Sequence, residues 1–284
     1  MLVNYKLTAR FRRDTRKFIM YIVLTFLALL AVYPILFSII TSIRTEDAYL
    51  ADKMGFPESF YLGNFHHVLN YSNLFHYFWN SVIFVTGGTI LYLFLVITSG
   101  YAFGQLRYRF KSQIFSVVLF LMIFPQMLLS IPMYIIAVKM GLTNSLWGAI
   151  IICTAFFAPY GSYMMTTYFS SVPQALRESA RIDGAGAFTT LWKIMLPIGL
   201  PMVATVAIVA FTSFWNELPF SVLLLQRKEI KTLVLGVALM RGEYGLPTTS
   251  LAASVVIAMI LPLSVFLFFQ RKVDGGATAG AVKG

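Results

Sequence analysis

The sequence predicts an all-α polytopic membrane protein with six transmembrane helices. Of its 284 residues 58% are hydrophobic and only 12% charged, with 16% aromatic, a balance too apolar for a soluble domain of that length. Six apolar runs are each long enough to cross a hydrocarbon core of about 30 Å, which takes about 20 helical residues. Basic residues cluster beside those runs, as cytoplasmic membrane flanks require, so the net charge of +11 is read as membrane topology and not as nucleic-acid binding.

Residues 1–17 are expected to form an interfacial amphipathic helix on anionic lipid. Leu7, Phe11 and Phe18 share one side and Lys6, Arg10, Arg13 and Lys17 another; a frayed basic tail is the alternative. The six-span domain then covers 18–270, with spans near 18–43, 79–104, 113–138, 146–170, 197–225 and 251–270. The first run is read as a retained span, because it is too long for a signal peptide and no small-residue cleavage site follows Tyr33 and Pro34. Pro34, Pro125, Pro132, Pro159, Pro219 and Pro262 lie inside the predicted spans and imply kinked helices.

Charge sets the expected orientation. Lys6, Arg10, Arg12, Arg13, Arg16 and Lys17 outnumber Asp14 before the first span, and Arg107, Arg109 and Lys111 stand without an acid after the second, so both segments are placed in the cytoplasm. The connection 44–78 has Arg44 and Lys53 against Glu46, Asp47, Asp52 and Glu58, which fits the outside. An even number of spans returns the tail 271–284, with Arg271, Lys272 and Lys283, to the cytoplasm. The external connection 226–250 breaks the pattern, with Arg227, Lys228, Lys231 and Arg241 against Glu229 and Glu243. Two readings compete: solvated charges whose side was decided by earlier spans, or a basic vestibule that favours an acidic ligand.

The loop 171–196 between the fourth and fifth spans is polar and punctuated. Ser171 is placed as an N-cap, Pro173 in the first turn, and Gly184 and Gly186 as stop and turn. A second short helix follows, with Phe188, Leu191, Trp192 and Met195 at i, i+3, i+4 and i+7. Periodicity alone fits an ordinary amphipathic connector equally well. The residues Glu178, Ser179, Ala180, Gly184, Ile194, Leu196 and Pro197, however, resemble the EAA signature, E-A-A-x3-G-x9-I-x-L-P, of the permease subunits of binding-protein-dependent ABC importers; only Ser179 departs, one small residue for another.

Other features bear on chemistry. Glu217 is the only ionisable Asp, Glu, Lys, Arg or His within any predicted span, with Trp215, Asn216 and Pro219 beside it. A carboxylate at membrane depth faces a cavity, a pathway or a partner, and indole beside amide and carboxylate suits a sugar; the alternatives are a place near the outer headgroups or a pairing with another subunit. Asn80, Ser81, Gln126 and Asn144 are lesser pathway candidates, since isolated amides also serve interhelical bonds. His66, His67 and His76 lack the constellation of a metal site, and the lone Cys153 lies in an apolar run as a buried thiol. No nucleophile and base arrangement suggests an enzyme, and no G-x-x-x-x-G-K-[ST] loop is present, so ATP-driven transport would need hydrolysis on another polypeptide.

The EAA-like stretch, the six-span layout, the WNE cluster at Trp215 to Glu217 and the terminal TAGAVKG together resemble the maltose-permease-type family of carbohydrate ABC importers, in particular its shorter membrane subunit. The resemblance implies the type I importer permease fold in a bacterial cell membrane. It further implies a second homologous permease, two cytoplasmic ATP-binding subunits that carry ATP and Mg, and an extracellular or periplasmic solute-binding protein that delivers an oligosaccharide. On this chain Glu178, Ser179, Ala180, Asp183 and Gly184 would then form the coupling helix that docks on an ATPase, with Trp215, Asn216, Glu217 and Asn80 on the translocation pathway and no cofactor of its own. An ion-coupled transporter or channel built on Glu217 is the rival, and a membrane scaffold or sensor without solute flux a third possibility.

Overall fold

The computed structural model describes the backbone of residues 2–71 and 73–281, and the side chains of 17–70 and 73–268. The described residues are helical, without strands. The chain forms two compact units, one of residues 1–72 with 240–257 and one of residues 73–239 with 258–284.

The first unit opens with α1 (Leu2–Ser42), which contains Pro34. The helix runs unbroken through Lys17, so the expected separate N-terminal element is instead the start of a 41-residue helix. The amphipathic side chains expected of residues 3–16 lie outside the described residues. Two short helices follow, α2 (Glu46–Ala51) and α3 (Gly63–Tyr71). Asn64 ties this connection together: its Nδ2 donates to the Ser42 and Arg44 carbonyls at 2.9 and 2.7 Å, and its Oδ1 accepts from the Thr249 and Ser250 hydroxyls. Glu46 accepts from the Thr248 and Thr249 amides and the Thr249 hydroxyl, at 3.2, 3.0 and 2.9 Å. A carboxylate thus caps the start of α13 (Thr248–Ala281), where four helical N–H groups lack partners. Burial pushes the Glu46 carboxyl up, but these hydrogen bonds and the Arg241 charge outweigh it and hold it below the usual carboxylate range.

The second unit is built on α4 (Leu74–Gln105), α7 (Leu146–Ser170) and α10 (Leu196–Trp215). α4 packs most extensively on α7, and α10 on both. Gly100 permits the close approach: a Cβ there would collide with the Met165 Cβ and stand 3.0 Å from the Met165 carbonyl carbon. Tyr92, Phe84, Phe169, Phe214 and Met165 fill the core between the three helices, and Phe214 meets Phe84 and Phe157 edge to face.

Among the described residues, five helices are long and apolar enough to cross a membrane: Lys17–Ser42, Leu74–Gln105, Leu146–Ser170, Ala187–Trp215 and Thr248–Phe268. The expected third span is not one helix. It is α5 (Lys111–Leu121) and α6 (Gln126–Lys139), bent by 109° at a break that ends on Pro125. Pro125 supplies no N–H and bars helical geometry from the residue before it, so the chain redirects there although every residue from Met122 to Phe124 is apolar. The expected fifth span also divides, into α10 and α11 (Pro219–Leu224). Pro34, Pro132, Pro159 and Pro262 sit inside continuous helices, whereas Pro219 begins one. After a 3-10 turn at Lys228–Ile230, α12 (Leu233–Tyr244) leads to α13, which continues through Ala281. The end of the TAGAVKG tail lies outside the described residues.

Candidate functional site

The segment after α7 forms a short helix, α8 (Gln174–Ile182), as the signature predicts, but it begins differently. Ser171 belongs to the end of α7, its hydroxyl donating to the Tyr168 carbonyl at 2.8 Å, and Pro173 takes the N-cap position without a side-chain cap. Pro173 cannot be reached from a helix without a break at Val172, which separates the two. The end of α8 is as expected. Gly184 adopts φ +81, its N–H donates to the Arg181 carbonyl at 3.1 Å, and the Ala185 N–H reaches back to the Ala180 carbonyl at 2.9 Å. That pair of bonds is a Schellman stop, and it needs a residue free of a Cβ at Gly184.

α8 buries only Ala180. Glu178, Ser179 and Asp183 are exposed, and so are two apolar side chains, Leu176 and Ile182, the latter at 86%. The helix is anchored at its base: the Arg177 guanidinium donates to the Gln105 carbonyl, and Gln105 Nε2 donates to the Phe169 and Val172 carbonyls at 2.5 and 3.0 Å. Arg107 adds a bond to Gln174 Oε1 at 3.1 Å. Gln105 and Arg177 escaped the sequence reading; the available signal was a lone amide closing an apolar run.

α9 (Ala187–Thr190) starts at Gly186 and passes through a π-helical turn, Leu191–Met195, into α10. The expected four-residue apolar face is divided: Leu191 and Met195 are buried, Phe188 and Trp192 exposed. A π turn inserts one extra residue and so rotates the helical face on its N-terminal side relative to the face on its C-terminal side.

The polar break after α10 is a capped corner. Glu217 is 3% exposed; its Oε1 accepts from Phe220 N at 2.9 Å and Gln126 Nε2 at 2.7 Å, and its Oε2 from Ser221 N and Oγ, both at 2.9 Å. The carboxylate therefore caps α11 and joins it to α6. Trp215 is buried and stacked on Phe211, while Asn216 is exposed and donates to the Thr212 carbonyl at 3.0 Å, so the three neighbours do not converge on one point. Asn80 Nδ2 donates to the Glu229 and Lys231 carbonyls at 2.8 and 3.0 Å, Ser81 Oγ accepts from Leu233 N at 2.7 Å, and Asn144 Oδ1 accepts from Gln226 N at 3.1 Å. These polar side chains, the lesser pathway candidates, brace the 226–233 connection. Arg227, Lys228, Arg241 and Glu243 are exposed in the basic connection, whereas Lys231 is buried.

Two of the concavities formed by the described residues of this unit bear on the site. One, of about 330 Å³, is walled by Tyr92, Phe124, Phe156, Phe157, Tyr160 and Ser213 between α4, α7, α10 and the bend of α5 and α6. The other, of about 580 Å³, lies where α8 meets the end of α4. None of the four expected pathway residues lines the aromatic cavity.

The family described as binding-protein-dependent transport system inner membrane component matches residues 97–277. A putative ABC transporter permease protein of a Caldicellulosiruptor species is 30% identical over 96% of this chain and 99% of its own length. The galactooligosaccharides transport system permease protein of Bacillus subtilis is 30% identical over 96% and 98%. The sulfoquinovosyl glycerol transport system permease protein of Agrobacterium fabrum is 28% identical, covering 89% of each chain. Among solved structures, a bacterial ABC transporter involved in import of the acidic polysaccharide alginate superposes with a TM-score of 0.74 at 23% identity, over 89% of this chain and 94% of that one. The fold is thus that of an ABC importer permease, a non-catalytic membrane subunit. With the matched residues running from the last turns of α4 through α8 into α13, the chain belongs to the inner membrane components of binding-protein-dependent transport systems.

Proposed function

We propose that this chain is one of two homologous permease subunits of an ATP-driven importer. It would carry an oligosaccharide, delivered by an extracellular or periplasmic binding protein, across the bacterial cell membrane. Two ATP-binding subunits hydrolyse ATP in the cytoplasm, where both termini of this chain lie. The observation that carries the reading is α8: an exposed helix with a rigid stop, inside the family match, presenting Leu176, Glu178 and Ile182 outward while Arg177 and Gln105 anchor it to α4 and α7. Apolar anchors beside a carboxylate suit a cleft that holds a basic residue; Ser179 keeps the exposed side of the helix slim enough to enter it, and Ala180 lets the other side lie close against its own chain. Movement of an ATPase then passes through α8 as a rigid lever into α7 and α10. Alternation of the cavity requires α8 to dock differently in the two states, as any ligand-driven population shift does.

The cargo reading draws on relatives that carry sugars and on the alginate importer's fold. An acidic cargo is the finer form, supported by Arg227 and Lys228 exposed on the 226–231 connection. Of the expected pathway residues, Asn216 is the one whose side chain is exposed to meet a sugar; Trp215, Glu217 and Asn80 are buried. An ion-coupled carrier finds less support, because both Glu217 oxygens are spent on capping α11.

The test is uptake into proteoliposomes by the assembled complex with its binding protein. Gly184→Val and Glu178→Lys should leave assembly intact and abolish the coupling of ATP hydrolysis to uptake. Normal ligand-stimulated hydrolysis and uptake in both variants would sink the coupling role, and equal stimulation by neutral and acidic sugars of one length would remove the acidic cargo.

A further inference from the structure

The larger concavity, at the base of α8, is unusually cationic. Arg107, Arg177 and Arg181 line it with Tyr108 and Thr190, and Glu178 is the one carboxylate in its wall. The Lys111 ammonium stands within electrostatic reach of Arg107 and Arg177. Among the described residues none of these four cations is paired with a carboxylate. Arg107 donates to Gln174 Oε1, Arg177 to the Gln105 carbonyl and Lys111 to the Leu106 carbonyl, all neutral acceptors, and the Arg181 guanidinium has no hydrogen bond to a described residue. Like charges gathered in a concave wall raise the local concentration of anions.

The depth of the pocket narrows the anion. Gln105 closes one span and Lys111 opens the next, so the wall at 106–110 is a five-residue turn held at the membrane boundary. At about 3.5 Å per residue, going out and back, it stays within the headgroup layer, about 5–8 Å deep on each side. Aromatic rings mark the same level: Phe103 lies 5.2 Å from Phe115 and 6.4 Å from Tyr108, and the Arg109 guanidinium sits 4.8 Å over the exposed Phe110 ring. Aromatic and basic side chains together are the composition of a membrane interface, and basic pockets between spans there take lipid phosphates.

We propose that this pocket binds the phosphate of an anionic phospholipid headgroup. The inference rests on the membrane placement of residues 106–111 and not on the cargo or the coupling role of α8, so failure of the uptake experiment leaves it standing. The probe is the assembled complex in phosphatidylcholine vesicles doped with spin-labelled phosphatidylglycerol or spin-labelled phosphatidylcholine, read as the immobilised lipid fraction. The intact protein should hold phosphatidylglycerol in preference to phosphatidylcholine. Each cation near an anionic phosphate contributes about a factor of five, so Arg107→Gln with Arg181→Gln should reduce the preference ~30-fold, while Arg107→Lys with Arg181→Lys keeps most of it. Equal retention of the two lipids by the intact protein overturns the proposal whether or not the variants fold. So does an unchanged preference in the glutamine variant. A preference abolished by inorganic phosphate at constant ionic strength assigns the pocket to a soluble anion, and one seen in the isolated chain but absent from the complex assigns it to an acidic partner surface; either result overturns the lipid assignment.

Discussion

Replacement of Glu217 separates a structural carboxylate from a conducting one. Its two oxygens accept four hydrogen bonds, from Gln126 Nε2, Phe220 N, Ser221 N and Ser221 Oγ, at 2.7 to 2.9 Å in a site 3% exposed. In Glu217→Ala the Ser221 hydroxyl can turn to another acceptor, but three N–H groups lose theirs. At about 1–3 kcal/mol for each buried donor, partly relieved by relaxation, the loss is about 4 kcal/mol. Glu217→Gln keeps one acceptor oxygen and turns an NH2 towards donors on the other side, so its loss is about 2–3 kcal/mol. A chain of this size loses about 2–4 °C of Tm per kcal/mol, which places the alanine variant ~10 °C below the parent and the glutamine variant between them. Tryptophan fluorescence during heating of the detergent-solubilised protein measures this directly, with Trp215 two residues from the substitution. ATP-driven uptake by whatever variant protein remains folded should persist, with the same indifference to an imposed proton gradient as the parent. Variants that melt with the parent yet no longer transport, or whose transport loses a proton dependence that the parent shows, would refute the capping argument.

The remaining predictions concern the framework of each unit. Gly100→Leu should prevent close packing of α4 on α7, because even a Cβ meets Met165 backbone there, and destabilise the second unit by at least about 3 kcal/mol, seen as loss of the folded species in size-exclusion chromatography. Asn80→Leu removes the Nδ2 donor that ties the Glu229 and Lys231 carbonyls to α4, leaving His76 on the Glu229 carbonyl, and should raise proteolytic cleavage in the 226–232 connection by about tenfold, consistent with a loss of ~1–2 kcal/mol, while Tm falls only slightly. The Glu46 carboxyl is held below the usual carboxylate value, so its contribution is present above about pH 4.3 and is lost as pH falls through the folded value. Glu46→Gln should therefore melt below the parent at pH 7, with the gap closing as the buffer is taken towards pH 3.

What could be read from letters alone divides by the length over which the signal is summed. Hydropathy accumulates over about 20 residues, so all six apolar runs were legible, and so was the stop at Gly184, where a single residue type meets a single backbone need. The 109° bend between α5 and α6 was not, because Met122, Ile123 and Phe124 keep the run apolar and Pro125 alone marks the break, as Pro34 and Pro159 do in helices that stay continuous. The role of Glu217 was hidden for a related reason. A carboxylate in an apolar run has the same spelling whether it faces a pathway or caps a helix, and its partner Gln126 lies 91 positions away. The bend and the Glu217 corner are one piece of structure. Gln126 is the first residue after the bend and Glu217 stands at the break between α10 and α11, where it caps the Phe220 and Ser221 N–H groups, and the bond from Gln126 Nε2 to Glu217 Oε1 joins the two interruptions. Backbone freed from helical bonding at membrane depth must find internal partners. At Glu217 that partner is the carboxylate, which Gln126 helps to hold in place, so a substitution at Gln126 should loosen the corner at Glu217 and not merely the helix in which it lies.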